Sequence, residues 1–276
     1  MSLGPVAVVT GATEGIGKQT AIELARRGMR VVVHGRSDAR ARDAAKAIAE
    51  ASGAGELDVC VGDFSSMKSV RAMGDALAKS HPRIDVLVNN AGVFTNERNV
   101  TEDGFELTMA VNHFAHFVLT HALVDALRAS DQGRVVHVSS GVHGSGHVDL
   151  DDLQLARDFS GYDAYASSKL ANVLFSNELA RRLQNTRITS NALHPGVIAT
   201  KLLRTGFGGG GAQVETGART TVMVATDPSL ATTTGAYFSD QRKVQASARA
   251  RDPKLARAFY EATCELTHTK PLPEPA

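Results

Sequence analysis

Short, unbroken apolar runs alternate with charge-laced amphipathic stretches along this chain, and no other feature restricts its fold as strongly. VAVVT (6–10) precedes a helical period over 15–27 that Gly28 ends, and RVVVH (30–34) precedes an Ala-rich helical stretch over 38–51. The rhythm continues with LDVCV (57–61), a helix over 67–80 and IDVLVN (84–89). A helical block near 103–129, RVVHVS (134–139), a long helix over 163–185 and ITSNAL (188–193) follow. Strands that are apolar throughout need cover on both faces, and a helix after every strand supplies it. The pattern predicts an α/β fold with a doubly wound parallel sheet. No composition break divides the chain, so 1–276 reads as one domain.

Thirty Lys+Arg against 29 Asp+Glu leave a formal charge of +1, so no general field draws in nucleic acid or anionic lipid. Cys60 and Cys264 lie far apart with no CxxC, which argues against a disulfide scaffold and a zinc site. MSLGPVAVVTG runs into the first strand with no signal-peptide pattern, and no apolar stretch approaches the roughly 18 residues that span a bilayer. A cytoplasmic protein without a membrane anchor is expected. His113 and His116 share a helix face, but no acidic or cysteine partner completes a metal set, and none is predicted. His143 and His147 are placed at a substrate mouth.

Between the first strand and the first helix, VVTGATEGIGKQTA puts Gly11, Gly15 and Gly17 where a backbone must turn tightly and approach a pyrophosphate. The strand before and the helix after are the context this reading requires, and they make the sheet Rossmann-type. At the end of the second strand, where an Asp or Glu would hold an NAD ribose, the chain has Gly35 and then Arg36. A guanidinium suits a 2′-phosphate, so NADP(H) is expected over NAD(H), with Glu14 in the glycine loop pulling the other way. RTGFGGGGAQV (204–214) holds four consecutive glycines, too costly in entropy for a stable helix or strand. It follows a strand, and 201–216 is expected to be a mobile substrate lid.

YASSK places Tyr165 four residues before Lys169, one helical turn apart on one face. Taken alone, the pair is either surface packing or a phenol made easier to deprotonate. An ammonium next to a phenol, whose ordinary pKa is about 10, favours the phenolate and brings an acid/base group nearer neutral pH.

TGATEGIG (10–17), NNAG (89–92), Asn112 in MAVNHFAHF, VVHVSS (135–140), YASSK (165–169) and HPG (194–196) together resemble the short-chain dehydrogenase/reductase family. TEDGFELTMAVNHFAHFVLT, SKLANVLFSNELARRL, HPGVIATKL and the late GAYFSDQRKVQ segment resemble its retinol dehydrogenase-like branch. The resemblance implies about seven parallel strands and hydride transfer between a nicotinamide and a carbonyl or alcohol of a small, fairly apolar molecule. It implies Tyr165 as acid/base, Lys169 as its partner, Ser140 as the substrate-orienting hydroxyl and Asn112 as holder of a proton-relay water. By the same likeness Gly11, Gly15, Ile16, Gly17, Arg36, Asp63, Phe64, Asn90, Ala91 and Gly92 hold the adenosine and phosphate end. Pro195, Gly196, Val197 and Thr200, with Tyr165 and Lys169, hold the nicotinamide end. Family likeness also implies a homo-oligomer, a dimer or tetramer, formed by pairing the helices near 108–129 and 163–185. Reduction of an activated C=C or C=N bond, and nicotinamide sensing without turnover, are the alternative readings.

Overall fold

Every apolar run of the first two hundred residues becomes a strand, and every amphipathic stretch after it a helix on one or other face of the sheet. The computed structural model describes residues 4–275. Strands β1 (Val6–Val9), β2 (Arg30–Gly35) and β3 (Asp58–Val61) are followed by helices α1 (Gly15–Arg26), α2 (Asp38–Ser52) and α3 (Met67–Ser80). Then come β4 (Val86–Asn89), α4 (Leu107–Arg128), β5 (Gly133–Val138), α5 (Gly161–Arg182) and β6 (Ile188–His194). The chain ends with α6 (Lys201–Phe207), α7 (Val214–Thr226), the short strands β7 (Tyr237–Ser239) and β8 (Arg242–Val244), and α8 (Pro253–Leu266).

The sheet has eight strands in the order β3-β2-β1-β4-β5-β6-β7-β8, one more than the family likeness implied. The first seven are parallel, and β8 folds back antiparallel on β7. Asp240 and Gln241 make that hairpin with positive φ at both residues, 48° and 57°, the tight turn whose twist suits two short strands. The unbroken apolar strands feed two layers. Val6 and Val8 enter one core with α3, α4, α5 and α8, whereas Ala7 and Val9 enter the other with α1, α2 and α7.

Helix α4 is long and apolar enough to cross a bilayer, which the sequence reading did not expect, yet 83% of its apolar window is buried inside the protein. Residues 112–120 of α4 and 164–176 of α5 are buried without interruption. The pairing of these two helices with a second copy therefore has no solvent-facing stripe to use along those spans. Part of the cover is α8 and the tail after it. The Tyr260 hydroxyl accepts from Leu272 N–H at 2.9 Å and donates to His121 Nε2 at 2.7 Å, since His121 Nδ1 is donating to the Phe117 carbonyl. Arg182, 3% exposed at its side chain, meets Glu178 at 2.7 Å, Glu274 at 2.7 Å and the Leu272 carbonyl at 2.6 Å, with its guanidinium over the Tyr260 ring. Replacing Arg182 by Leu leaves the buried Glu178 carboxylate with Arg181 as its remaining cation and frees the tail; urea unfolding is expected to show a loss of about 2 kcal/mol. An unchanged midpoint would contradict this account of the tail.

Candidate active site

The loops leaving the carboxyl ends of the strands converge on one cleft of about 980 Å³. It opens where the strand order reverses, β1 turning to β2 on one side and β4 to β5 on the other, the place where open α/β sheets bind ligands.

The first turn is built by close approach. Gly11 has φ 63°, and a Cβ on it would lie 2.8 Å from Ala91 Cα; a Cβ on Gly17 would overlap the Gly11 carbonyl and the Asn90 carboxamide. No side chain caps α1 at Glu14, so the helix presents its first N–H groups uncovered next to Gly15, Ile16 and Gly17, all on the cleft wall. A dinucleotide pyrophosphate fits such a cradle. Asn90 locks the turn to β4, its Nδ2 donating to the Thr10 carbonyl at 2.8 Å, while Thr10 Oγ1 accepts the N–H groups of Asn90 and Ala91 at 2.8 and 3.0 Å.

Two histidines complete this end: His34, not singled out from the sequence, and His116, weighed there only as a metal ligand. His34 Nδ1 accepts the Gly11 N–H at 3.0 Å and its Nε2 donates to the Gly62 carbonyl. Burial lowers it to about 4, keeping the ring neutral. His116 Nδ1 donates to the Asn112 carbonyl at 3.0 Å, leaving Nε2 to accept from the Thr10 hydroxyl at 3.0 Å. A polar residue ending the apolar run VVVH was the available signal for His34.

Arg36 lines the cleft as expected, and so does Arg40, one helical turn further on and not singled out from the sequence. Glu14 stands 3.9 Å from Arg40 and so faces that cation across the cleft mouth. Asp63 lines the wall with its Oδ1 accepting from Ser65, and Phe64 is buried with its ring stacked on His34 at 4.4 Å.

At the other end, Tyr165 and Lys169 enter from the first turns of α5, Ser140 from the end of β5, and Gly92 from the loop after β4. Lys169 Nζ lies 5.4 Å from the Tyr165 ring centroid and donates to the Val138 carbonyl at 3.2 Å. Both residues are buried, Tyr165 7% and Lys169 3% exposed. Burial pushes the Tyr165 phenol up to about 12, with the Ser140 hydroxyl pulling it the other way, and brings Lys169 down to about 8. Desolvation of the phenol, rather than the neighbouring ammonium expected to depress it, sets the direction of the shift. Tyr162, three residues earlier, is 41% exposed and meets the Ser145 hydroxyl outside the cleft wall.

Asn112 is not on the wall. It is fully buried in a π-turn of α4 spanning Ala110–Phe114, with its Oδ1 accepting from Val93 N–H at 2.7 Å and its Nδ2 donating to the Val93 carbonyl and Ser168 Oγ. The loop that carries Gly92 is thereby tied to α4 and α5.

Pro195, Gly196, Val197 and Thr200 run along the opposite lip. Thr200 caps α6, its Oγ1 accepting from Leu203 N–H at 3.2 Å. Within 201–216, only the glycine run matches the expected irregular backbone: Gly208 to Gly211 all have positive φ, from 78° to 97°, whereas Lys201–Phe207 is a two-turn helix. Its Phe207 ring lies 5.8 Å from that of Tyr165 and 5.5 Å from that of Phe94, which is itself 5.9 Å from Tyr165, so the three rings cluster. His143 is buried behind Ser140 rather than at the mouth, and His147 is exposed away from the cleft.

A family model described as short chain dehydrogenase matches residues 5–207. The chain belongs to the short-chain dehydrogenase family. Within it, the chain is similar to human retinol dehydrogenase 12, 40% identical over 272 residues that cover 95% of this chain and 86% of that protein. Human retinol dehydrogenase 14 is 38% identical over 285 residues, 94% of this chain and 84% of that protein, which places this dehydrogenase in the retinol dehydrogenase-like branch. Among solved structures, an uncharacterized protein of Mycobacterium paratuberculosis superposes with a TM-score of 0.83 at 33% identity, covering 99% of this chain and 97% of that one. A short chain dehydrogenase of Escherichia coli complexed with NADPH superposes with a TM-score of 0.72 at 26% identity, covering 86% and 97%. The chain is thus a nicotinamide-dependent oxidoreductase, built on the cleft described above.

Proposed function

We propose that this dehydrogenase moves a hydride between NADP(H) and an apolar carbonyl or alcohol, with Tyr165 as the acid/base. The observation that carries the reading is the meeting of Tyr165, Ser140 and Lys169 at one end of a cleft whose other end is the glycine cradle. A bound nicotinamide supplies or accepts the hydride.

In the reducing direction Tyr165 holds the proton that the substrate oxygen receives. A phenol near 12 stays protonated at neutral pH and is ready as an acid. The Ser140 hydroxyl donates to the same oxygen as negative charge develops on it. Lys169 stabilises the phenolate left behind and can donate to the nicotinamide ribose. The buried Asn112 keeps the Gly92–Val93 loop against Lys169, and we assign it a share in the water-mediated return of the proton. Pro195 to Val197 and Thr200 hold the nicotinamide end.

Three observations support the choice of partners. Arg36 and Arg40 both line the mouth where a 2′-phosphate would sit, and the E. coli relative is complexed with NADPH. Val93, Leu203 and Phe207 give the substrate end an apolar wall, in keeping with relatives named for retinol. With Phe207 over Tyr165 and an adjoining glycine run, we propose that 201–216 closes on the bound pair and excludes water. A homo-oligomer would form through surfaces other than the enclosed spans of α4 and α5.

Initial rates of NADPH oxidation over aldehydes and ketones, retinal included, test the reading. Tyr165→Phe is expected to abolish turnover while cofactor affinity, read by fluorescence titration, stays within about twofold; retained turnover would refute the acid/base assignment. Arg36→Asp is expected to weaken NADPH by more than tenfold and leave NADH unchanged or improved. If NADPH binding is unaltered, Arg36 does not read the phosphate.

A further inference from the structure

We infer that His194 and His143 form a two-imidazole clamp on the Ser140–Gly141 peptide, a positioning device that aims the Ser140 hydroxyl into the cleft. The inference rests on the proposed role of Ser140.

A 3₁₀ turn, Gly141–Gly144, starts directly after Ser140. The first N–H groups of such a turn have no partner within it. The Gly141 N–H finds one across the sheet, donating to His194 Nδ1 at 3.0 Å from the end of β6. The carbonyl of this same peptide, which belongs to Ser140, accepts from His143 Nδ1 at 2.8 Å and from the Tyr237 hydroxyl at 3.2 Å. Ring nitrogens therefore hold both ends of one peptide plane.

The bonds demand opposite tautomers. His143 carries its proton on Nδ1, because its Nε2 accepts the Ser247 N–H at 3.1 Å. His194 must leave Nδ1 bare, and when neutral it carries the proton on Nε2. Burial holds both rings below the ordinary histidine range, consistent with neutral forms at pH 7. Ser140 gains from outside help of this kind, because its own hydroxyl is steadied by a 3.4 Å contact from Val142 N–H and by the Tyr165 phenol, neither of which holds its backbone from another strand. With the peptide plane gripped at both ends, the ψ angle of Ser140 is fixed and its Oγ points where the substrate oxygen is expected.

The test is a double-mutant cycle on NADPH-dependent carbonyl reduction. His194→Ala is expected to lower kcat about tenfold to a hundredfold, with cofactor Kd and carbonyl KM within about twofold. His194→Asn, whose Oδ1 can accept in place of Nδ1, restores most of the rate, and His194→Gln does not. In a Ser140→Ala background His194→Ala adds no further loss; fully multiplicative losses would overturn the clamp. Full activity in Ser140→Ala alone would remove the proposed role of Ser140. The clamp is then decided without turnover by ¹⁵N NMR of the imidazoles, assigned with His194→Asn and His143→Asn. An Nε2–H tautomer for His194 and an Nδ1–H tautomer for His143 support it. The reverse tautomer at either ring refutes it.

Discussion

A lysine ammonium shut away from water sets the terms for the rest of this structure. Lys169 is 3% exposed, and its hydrogen bond is to a neutral carbonyl, that of Val138, rather than to a carboxylate. An isolated buried charge is costly unless it finds dipoles or loses its proton, and both remedies are visible. The strand end of β5 turns a carbonyl toward Nζ, the Tyr165 ring approaches it, and the same burial that isolates the group lowers its pKa to about 8. Crowding follows from this. A Cβ on Gly92 would lie 3.5 Å from Nζ, and the Ser139 hydroxyl donates to the Lys169 backbone carbonyl at 2.7 Å, fixing α5 against β5. The acid of the site is set by the same physics: desolvation drives Tyr165 up while driving Lys169 down, shifting each toward its neutral form, with Lys169 still an ammonium at pH 7.

Holding so precise an arrangement at the ends of parallel strands requires connectors that are buried yet polar. Neutral imidazoles fill that need. Each has one donor and one acceptor nitrogen, and one ring spans a gap that would otherwise need a water. His34 ties the glycine turn to β3, and His116 ties the same turn to the π-turn of α4. His121 anchors the tail through Tyr260, and it is lowered to about 4 by burial, as is His113. The histidines of this chain thus act chiefly as structural joints of the fold and of its cleft.

The layered fold was legible because its signal is local: continuous apolar runs with helical periods between them place β1 to β6 within a residue or two. The last two strands were not legible, because each is three residues long and their Asp240–Gln241 turn lacks the glycine that usually marks such a hairpin. The positions expected to line the cleft do so apart from Asn112, His143 and His147, since the glycine turn, Arg36, Ser140 and Tyr165 follow strand ends or a helix start in an order the chain itself displays. What sequence could not give was direction. Whether His143 faces a mouth or a backbone carbonyl depends on Tyr237 and Ser247, about a hundred residues away. Whether α4 and α5 offer a free face depends on where α8 and the tail fold back. The sign of the Tyr165 shift was misjudged for a similar reason, as spacing reports the neighbouring charge but not the loss of water.

The most direct measurement is the titration of Lys169 itself, by NMR of the cofactor-free protein labelled at lysine ¹³Cε and ¹⁵Nζ. Lys169→Arg identifies the signal. The account requires Lys169 to lose its proton near pH 8, with the ammonium present below that value and neutral above. A Lys169 resonance titrating in the ordinary range of a solvated lysine ammonium would mean that the group is not desolvated. The buried, mutually desolvated Tyr165–Lys169 pair would then not be the organising feature of the site.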